Sequence, residues 1–178
     1  MTPEARRRRI AAASTAMAYA LVALSLLLPL AAGASIFLMP AAELAQGAGV
    51  PQAASQPMPV PVRMAANLVL LLPSLLTAGA LLTLAGLFRR FAAGAFFSPP
   101  AFKALKRFAA LLFLGALAGI LASPAAGLAL FAVADEASLS IRIGTPNIFP
   151  MLLAAGVWIL GWILGEAAEI EAENRQFV

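Results

Sequence analysis

Residues 89 to 107 read RRFAAGAFFSPPAFKALKR, a short basic and aromatic stretch set between two long uncharged apolar runs. It holds five of the 12 Lys and Arg residues of the chain. Cationic loops are retained on the cytoplasmic side of a membrane, so placing this connector places the segments on both sides of it.

The flanking runs decide the fold class. Hydrophobic residues make up 62% of the 178-residue chain and charged residues 11%, against about 45 to 50% and about 25% in ordinary soluble proteins. Several runs exceed the ~20 residues that carry a helix across ~30 Å of hydrocarbon. A β-barrel needs ~10-residue segments of alternating character, and these runs are apolar at every position. The expectation is an all-α membrane protein: one membrane domain of four transmembrane helices in a bundle, with spans near residues 12–38, 65–88, 108–132 and 147–165.

Between the spans the composition changes. Arg6, Arg7, Arg8 and Arg9 close a short polar arm before the first run. That run is longer than the ~7 to 15 residues of a secretory signal core, so it reads as a retained span. Residues 39–63 (an external loop, MPAAELAQGAGVPQAASQPMPVPVR) are rich in Pro, Gly, Gln and Ser. They are expected to form a semi-rigid linker without a packed core, extended at Pro57, Pro59 and Pro61. A second external loop, 133–146, contains Leu139, Ile141 and Ile143 alternating with Ser138, Ser140 and Arg142, the period of a half-buried strand. Pro29 and Pro73 interrupt the first two spans, and Gly115, Gly119, Gly161 and Gly165 show the spacing that lets helices approach closely.

Charge sets the expected topology. The arm carries four cations, the connector five and the tail (residues 166–178) one, against Arg63 and Arg142 on the other side. Both termini are therefore expected in the cytoplasm. The same distribution accounts for the net charge of +4 without nucleic acid, because the cations lie beside spans.

Chemistry is sparse. With no Cys and no His, the chain lacks the usual ligands of zinc and haem and the usual bases for a serine nucleophile, and it has no phosphate loop. The expectation is a protein that is not an enzyme and takes no cofactor or metal. The spans contain no ionisable residue of the kind that marks a proton path. Their polar groups, Ser25, Asn67, Ser74, Thr77, Thr83 and Ser123, are expected to bond to nearby backbone or across helix pairs. In the connector, Ser98 followed by Pro99 and Pro100 reads as a hydroxyl-capped helix start. Phe91, Phe96, Phe97 and Phe102 suit the interface plane, with Lys103, Lys106 and Arg107 toward headgroup phosphates. Glu166, Glu169 and Glu173 recur at helical spacing, which continues the fourth helix with one acidic face.

Two stretches carry a resemblance. Arg89, Phe91, Gly94, Phe96, Phe97, Ser98 and Pro99, with Glu166, Ala168, Glu173 and Asn174 in the tail, resemble the connector and acidic tail of the bacterial inner-membrane family called domain of unknown function 2975. The long Pro-rich loop departs from that family. The resemblance implies a four-helix inner-membrane protein encoded beside a small Cro-type helix-turn-helix regulator, and it supplies no catalytic residues. The candidate interaction surface is thus Arg89, Arg90, Phe91, Gly94, Phe96, Phe97, Ser98, Pro99, Lys103, Lys106 and Arg107, facing Glu166, Glu169, Glu173 and Asn174. The expected function is to sense membrane state or to interact with a cytoplasmic regulator, with membrane lipids and that regulator as partners. The alternative is a small transporter or lipid-handling protein, with Pro29 and Pro73 framing a cavity.

Overall fold

Each apolar run folds as one long α-helix, because a backbone in hydrocarbon must satisfy its polar groups within the segment. The computed structural model describes residues 3–48, 59–95, 98–130 and 145–174. In chain order the elements are α1 (Pro3–Leu38), α2 (Ala41–Gly47), α3 (Val60–Ala92), α4 (Pro99–Leu130) and α5 (Thr145–Asn174), with no strand among the described residues. Four of them, α1, α3, α4 and α5, are long and apolar enough to cross a membrane. Leu26, Leu27, Leu30, Leu152 and Trp162 are each about 60% exposed or more. A soluble monomer does not leave so large an apolar surface open to water.

The long helices form a bundle whose extensive contacts follow chain order: α1 on α3, α3 on α4, α4 on α5. On α3 and α4, Gly115 lies against Thr77 and Gly79 against Leu111, which makes the pair antiparallel. Gly119 against Asn147 and Gly161 against Lys106 do the same for α4 and α5. The small-residue spacing in α4 is therefore used inside the chain, Gly115 toward α3 and Gly119 toward α5.

The helices run past the expected spans at the charged end by roughly one to two and a half turns, at 3.6 residues per turn. The arginine arm is itself helical, since α1 begins at Pro3. Every described cation except Arg63 thus stands on a helix end at one face of the bundle.

The segment 39–63 departs from expectation. Pro40 ends α1 and sits at the N-cap of a short helix, α2. Leu44 and Ala48, one turn apart, pack with Ala66, Ala126 and Leu130 in a buried cluster. This segment therefore carries part of the core, because its one apolar stripe has α3 and α4 to bury against. Pro59 is extended (φ −59°, ψ 141°), but it caps α3, and Pro61 lies inside that helix, where its fixed φ is preorganised and its missing N–H costs nothing. Pro57 and the strand expected within 133–144 lie outside the described residues.

Four hydroxyls within the spans behave as the sequence suggests. Ser25 donates to the Val22 carbonyl, Ser74 to Leu71 and Thr83 to Ala80, each at 2.7 Å, and Thr77 donates to Pro73 at 2.8 Å. Asn67 is the exception: it is 5% exposed and its Oδ1 has no hydrogen-bond donor among the described residues.

Candidate functional site: the charged end of the bundle

The connector is built from two helix ends. At the C-terminus of α3, Ala95 N–H donates to the Arg90 carbonyl and Gly94 N–H to the Phe91 carbonyl, both at 3.0 Å. Gly94 has φ +83°. This pair of bonds is the Schellman closure, which needs a left-handed residue at the position Gly94 occupies. A Cβ there would meet nothing within 4 Å, so the requirement is purely of the backbone. Gly94→Ala is expected to cost about 1 to 2 kcal/mol, the left-handed penalty of an L-residue, read as a lower unfolding midpoint in mild detergent.

The start of α4 corrects the expected cap. Ala101 N–H and Phe102 N–H both donate to the Ser98 carbonyl, at 2.8 and 3.3 Å, and the Ser98 hydroxyl is buried with no partner among the described residues. The reason lies in the next two residues. Pro99 and Pro100 have no N–H, and Ala101 has already given its own, so no orphan donor is left for a side chain to cap. Ser98→Ala is accordingly expected not to destabilise the protein, whereas loss of a working cap costs about 0.5 to 2 kcal/mol. Thermal unfolding of the variant distinguishes the two.

The aromatic residues divide. Phe88 and Phe91 meet edge to face with centroids 6.0 Å apart. Phe91 is half-buried and Phe102 only 8% exposed, so Phe102 belongs to the protein interior and not to the interface plane. It faces inward because α4 turns its Ala101–Phe102 edge toward the bundle while Lys103 and Arg107 point out. Phe96 and Phe97 lie outside the described residues.

Arg89, Arg90, Lys103 and Arg107 are exposed, as are Glu166 and Glu169; Lys106 is half-buried, its Cγ 3.3 Å from where a Cβ on Gly161 would stand. Continuing the register of α4 on α5 sets Glu166 and Glu169 abreast of the first turn of α4. Yet among the described residues no ion pair joins these carboxylates to the connector. The buried positions Ala154 and Gly161 mark the α4-facing stripe of α5. At 100° per residue, Glu166 and Glu169 fall well to the side of it. Helix α5 extends through Glu173 to Asn174, so the tail is largely helical, as its spacing suggests. The same end of the bundle thus presents separate cationic and acidic surfaces, and the described residues contain no cluster of three or more potential metal ligands.

No protein-family model matches the chain, and neither does any curated protein or solved structure.

Proposed function

We propose that this chain is a multi-pass protein of the bacterial inner membrane, both termini cytoplasmic, that acts without catalysis by docking a cytoplasmic regulator at its charged end. The observation that carries this reading is the set of exposed, mutually unpaired charges there: Arg89, Arg90, Lys103 and Arg107 beside Glu166 and Glu169. Charges that serve folding are usually paired or buried against a partner, whereas complementary exposed patches steer association. The resemblance to the family of unknown function 2975 adds a candidate partner class, a small helix-turn-helix protein. Membrane state is the signal such an anchored partner would report.

The test uses the full chain in detergent as bait. Arg107→Glu and Glu169→Arg are expected to keep wild-type helicity and thermal midpoint, because surface substitutions of unpaired charges stay within about 0.5 kcal/mol. Both should release the bound regulator and change expression of genes it controls. Unchanged transcription after removal of residues 166–178 and after both reversals sinks the reading.

A second reading, lipid handling, has its own observation. Pro29, Pro73, Pro124 and Pro150 each lie inside one spanning helix, which continues through it. By the helix registers, Pro73 and Pro150 are level with the same turn of α4, near residues 116–119. Each proline removes one backbone hydrogen bond at that depth, and weak points at matched depth in paired helices are where transporters break theirs. Pro73→Ala is expected to slow any transbilayer movement of fluorescent lipid in reconstituted vesicles; no movement above empty vesicles removes this reading.

A further inference from the structure

We propose that the groove between α1 and α3, at the end of the bundle remote from the arginine arm, binds one anionic phospholipid of the adjoining leaflet. The groove holds about 320 Å³ and is walled by Gly33 of α1 and by Val60, Arg63, Met64, Asn67 and Leu71 of α3. It is open because α1 offers no side chain at Gly33, where a Cβ would meet nothing within 4 Å. The α3 residues recur every three or four positions, so they form one stripe. From Val60 to Leu71 that stripe is about 16 Å long, at 1.5 Å rise per residue.

Polarity along the stripe is graded as an amphiphile requires. Arg63 stands in the first turns of α3, where its Nη2 donates to the Met39 carbonyl at 2.5 Å. That bond holds a guanidinium beside the C-terminal carbonyls of α1, at the mouth of the groove. One turn deeper lies the amide of Asn67, buried and with its Oδ1 lacking a donor among the described residues. The Asn67 amide lines the groove, where its N–H can donate to an ester carbonyl of a ligand. Beyond Asn67 the walls are carbon only, and the flanking Met64 and Leu68 are 57% and 65% exposed, facing the lipid layer. A phosphate at Arg63, an ester carbonyl of the glycerol backbone at Asn67 and an acyl chain along Leu68 and Leu71 match these three zones. A free phosphate matches only the first. The site lies opposite the proposed docking surface and stands independently of it.

Native mass spectrometry of the full chain, released from detergent with phosphatidylglycerol or phosphatidylcholine, tests the assignment. Wild type is expected to retain one phosphatidylglycerol more than Gly33→Leu, which fills the groove from α1 and enters empty space, so folding is preserved. Arg63→Gln should weaken that retention by about tenfold, the scale of one hydrogen bond to a charged group, and Asn67→Leu by about fivefold, the scale of a neutral one. Arg7→Gln, at the other end, should leave the difference between wild type and Gly33→Leu unchanged, and excess glycerol 3-phosphate should displace nothing. Equal retention by wild type and Gly33→Leu overturns the proposal, as does equal retention of the two lipids by wild type. Displacement by glycerol 3-phosphate overturns it in favour of a simple anion site. Should Arg63→Gln fail to fold, the Gly33→Leu comparison still decides.

Discussion

Gly115→Leu is expected to lower the unfolding free energy in mild detergent by about 1 to 3 kcal/mol, the range for overpacking a close contact. Gly115 is buried where α4 crosses α3, and even a Cβ there would stand 3.1 Å from the Thr77 hydroxyl and 3.5 Å from the Thr77 backbone nitrogen. The hydroxyl has little freedom to yield, since it donates to the Pro73 carbonyl at 2.8 Å. In a bilayer the driving force between helices is packing, because lipid tails are as apolar as leucine, and small residues are what permit it. Gly115→Ala should therefore cost less and be relieved by Thr77→Ala, which removes the nearest atom. Gly115→Leu should not be relieved, because Leu76 and the α3 backbone remain in its way. Circular dichroism of the three single variants and the two double variants during denaturant titration gives the coupling. Additive costs for Gly115→Ala and Thr77→Ala would mean that the two helices do not meet at this point.

Leu44→Ala and Leu130→Ala are each expected to cost about 2 to 5 kcal/mol, the range for emptying a buried leucine site. Leu44 is 1% exposed and Leu130 fully buried, and they share one cluster with Ala66 and Ala126. Met39, Val62, Val69 and Leu70 pack against the cluster, and how far they relax into the vacated space sets the position within that range. The double variant should cost less than the sum, because the second truncation removes contacts the first has already lost. A cost for Leu44→Ala below that of an exposed leucine such as Leu30→Ala would show α2 to be undocked.

Much of this architecture was legible before any coordinates. The four spanning helices follow from run length, since no other structure satisfies a backbone in hydrocarbon, and their charged ends follow from where Lys and Arg interrupt the runs. The Glu spacing correctly extends α5. Hydroxyls inside the spans have few alternatives to their own helix carbonyls, so Ser25, Ser74, Thr77 and Thr83 were predictable one by one. Segment 39–63 was not. Its composition is that of a linker, and nothing local reveals that Leu44 would find Ala66 and Leu130. Nor does Ser98 disclose that two prolines leave its hydroxyl without a donor to meet.

The connector from Arg89 to Arg107 shows the division between the two levels. The sequence by itself determined that this stretch is a turn between two membrane helices with its cations at the surface, because charge and hydrocarbon do not mix and each residue there obeys that rule alone. Only the tertiary structure decided that Phe102 turns inward, that Glu166 and Glu169 stand abreast of α4 without pairing to it, and that Gly33 leaves a groove beside Arg63 and Asn67. Those outcomes depend on the rotation and register of one helix against another. Rotation and register are set by many small packing contacts such as Gly115 on Thr77, and no single residue carries them.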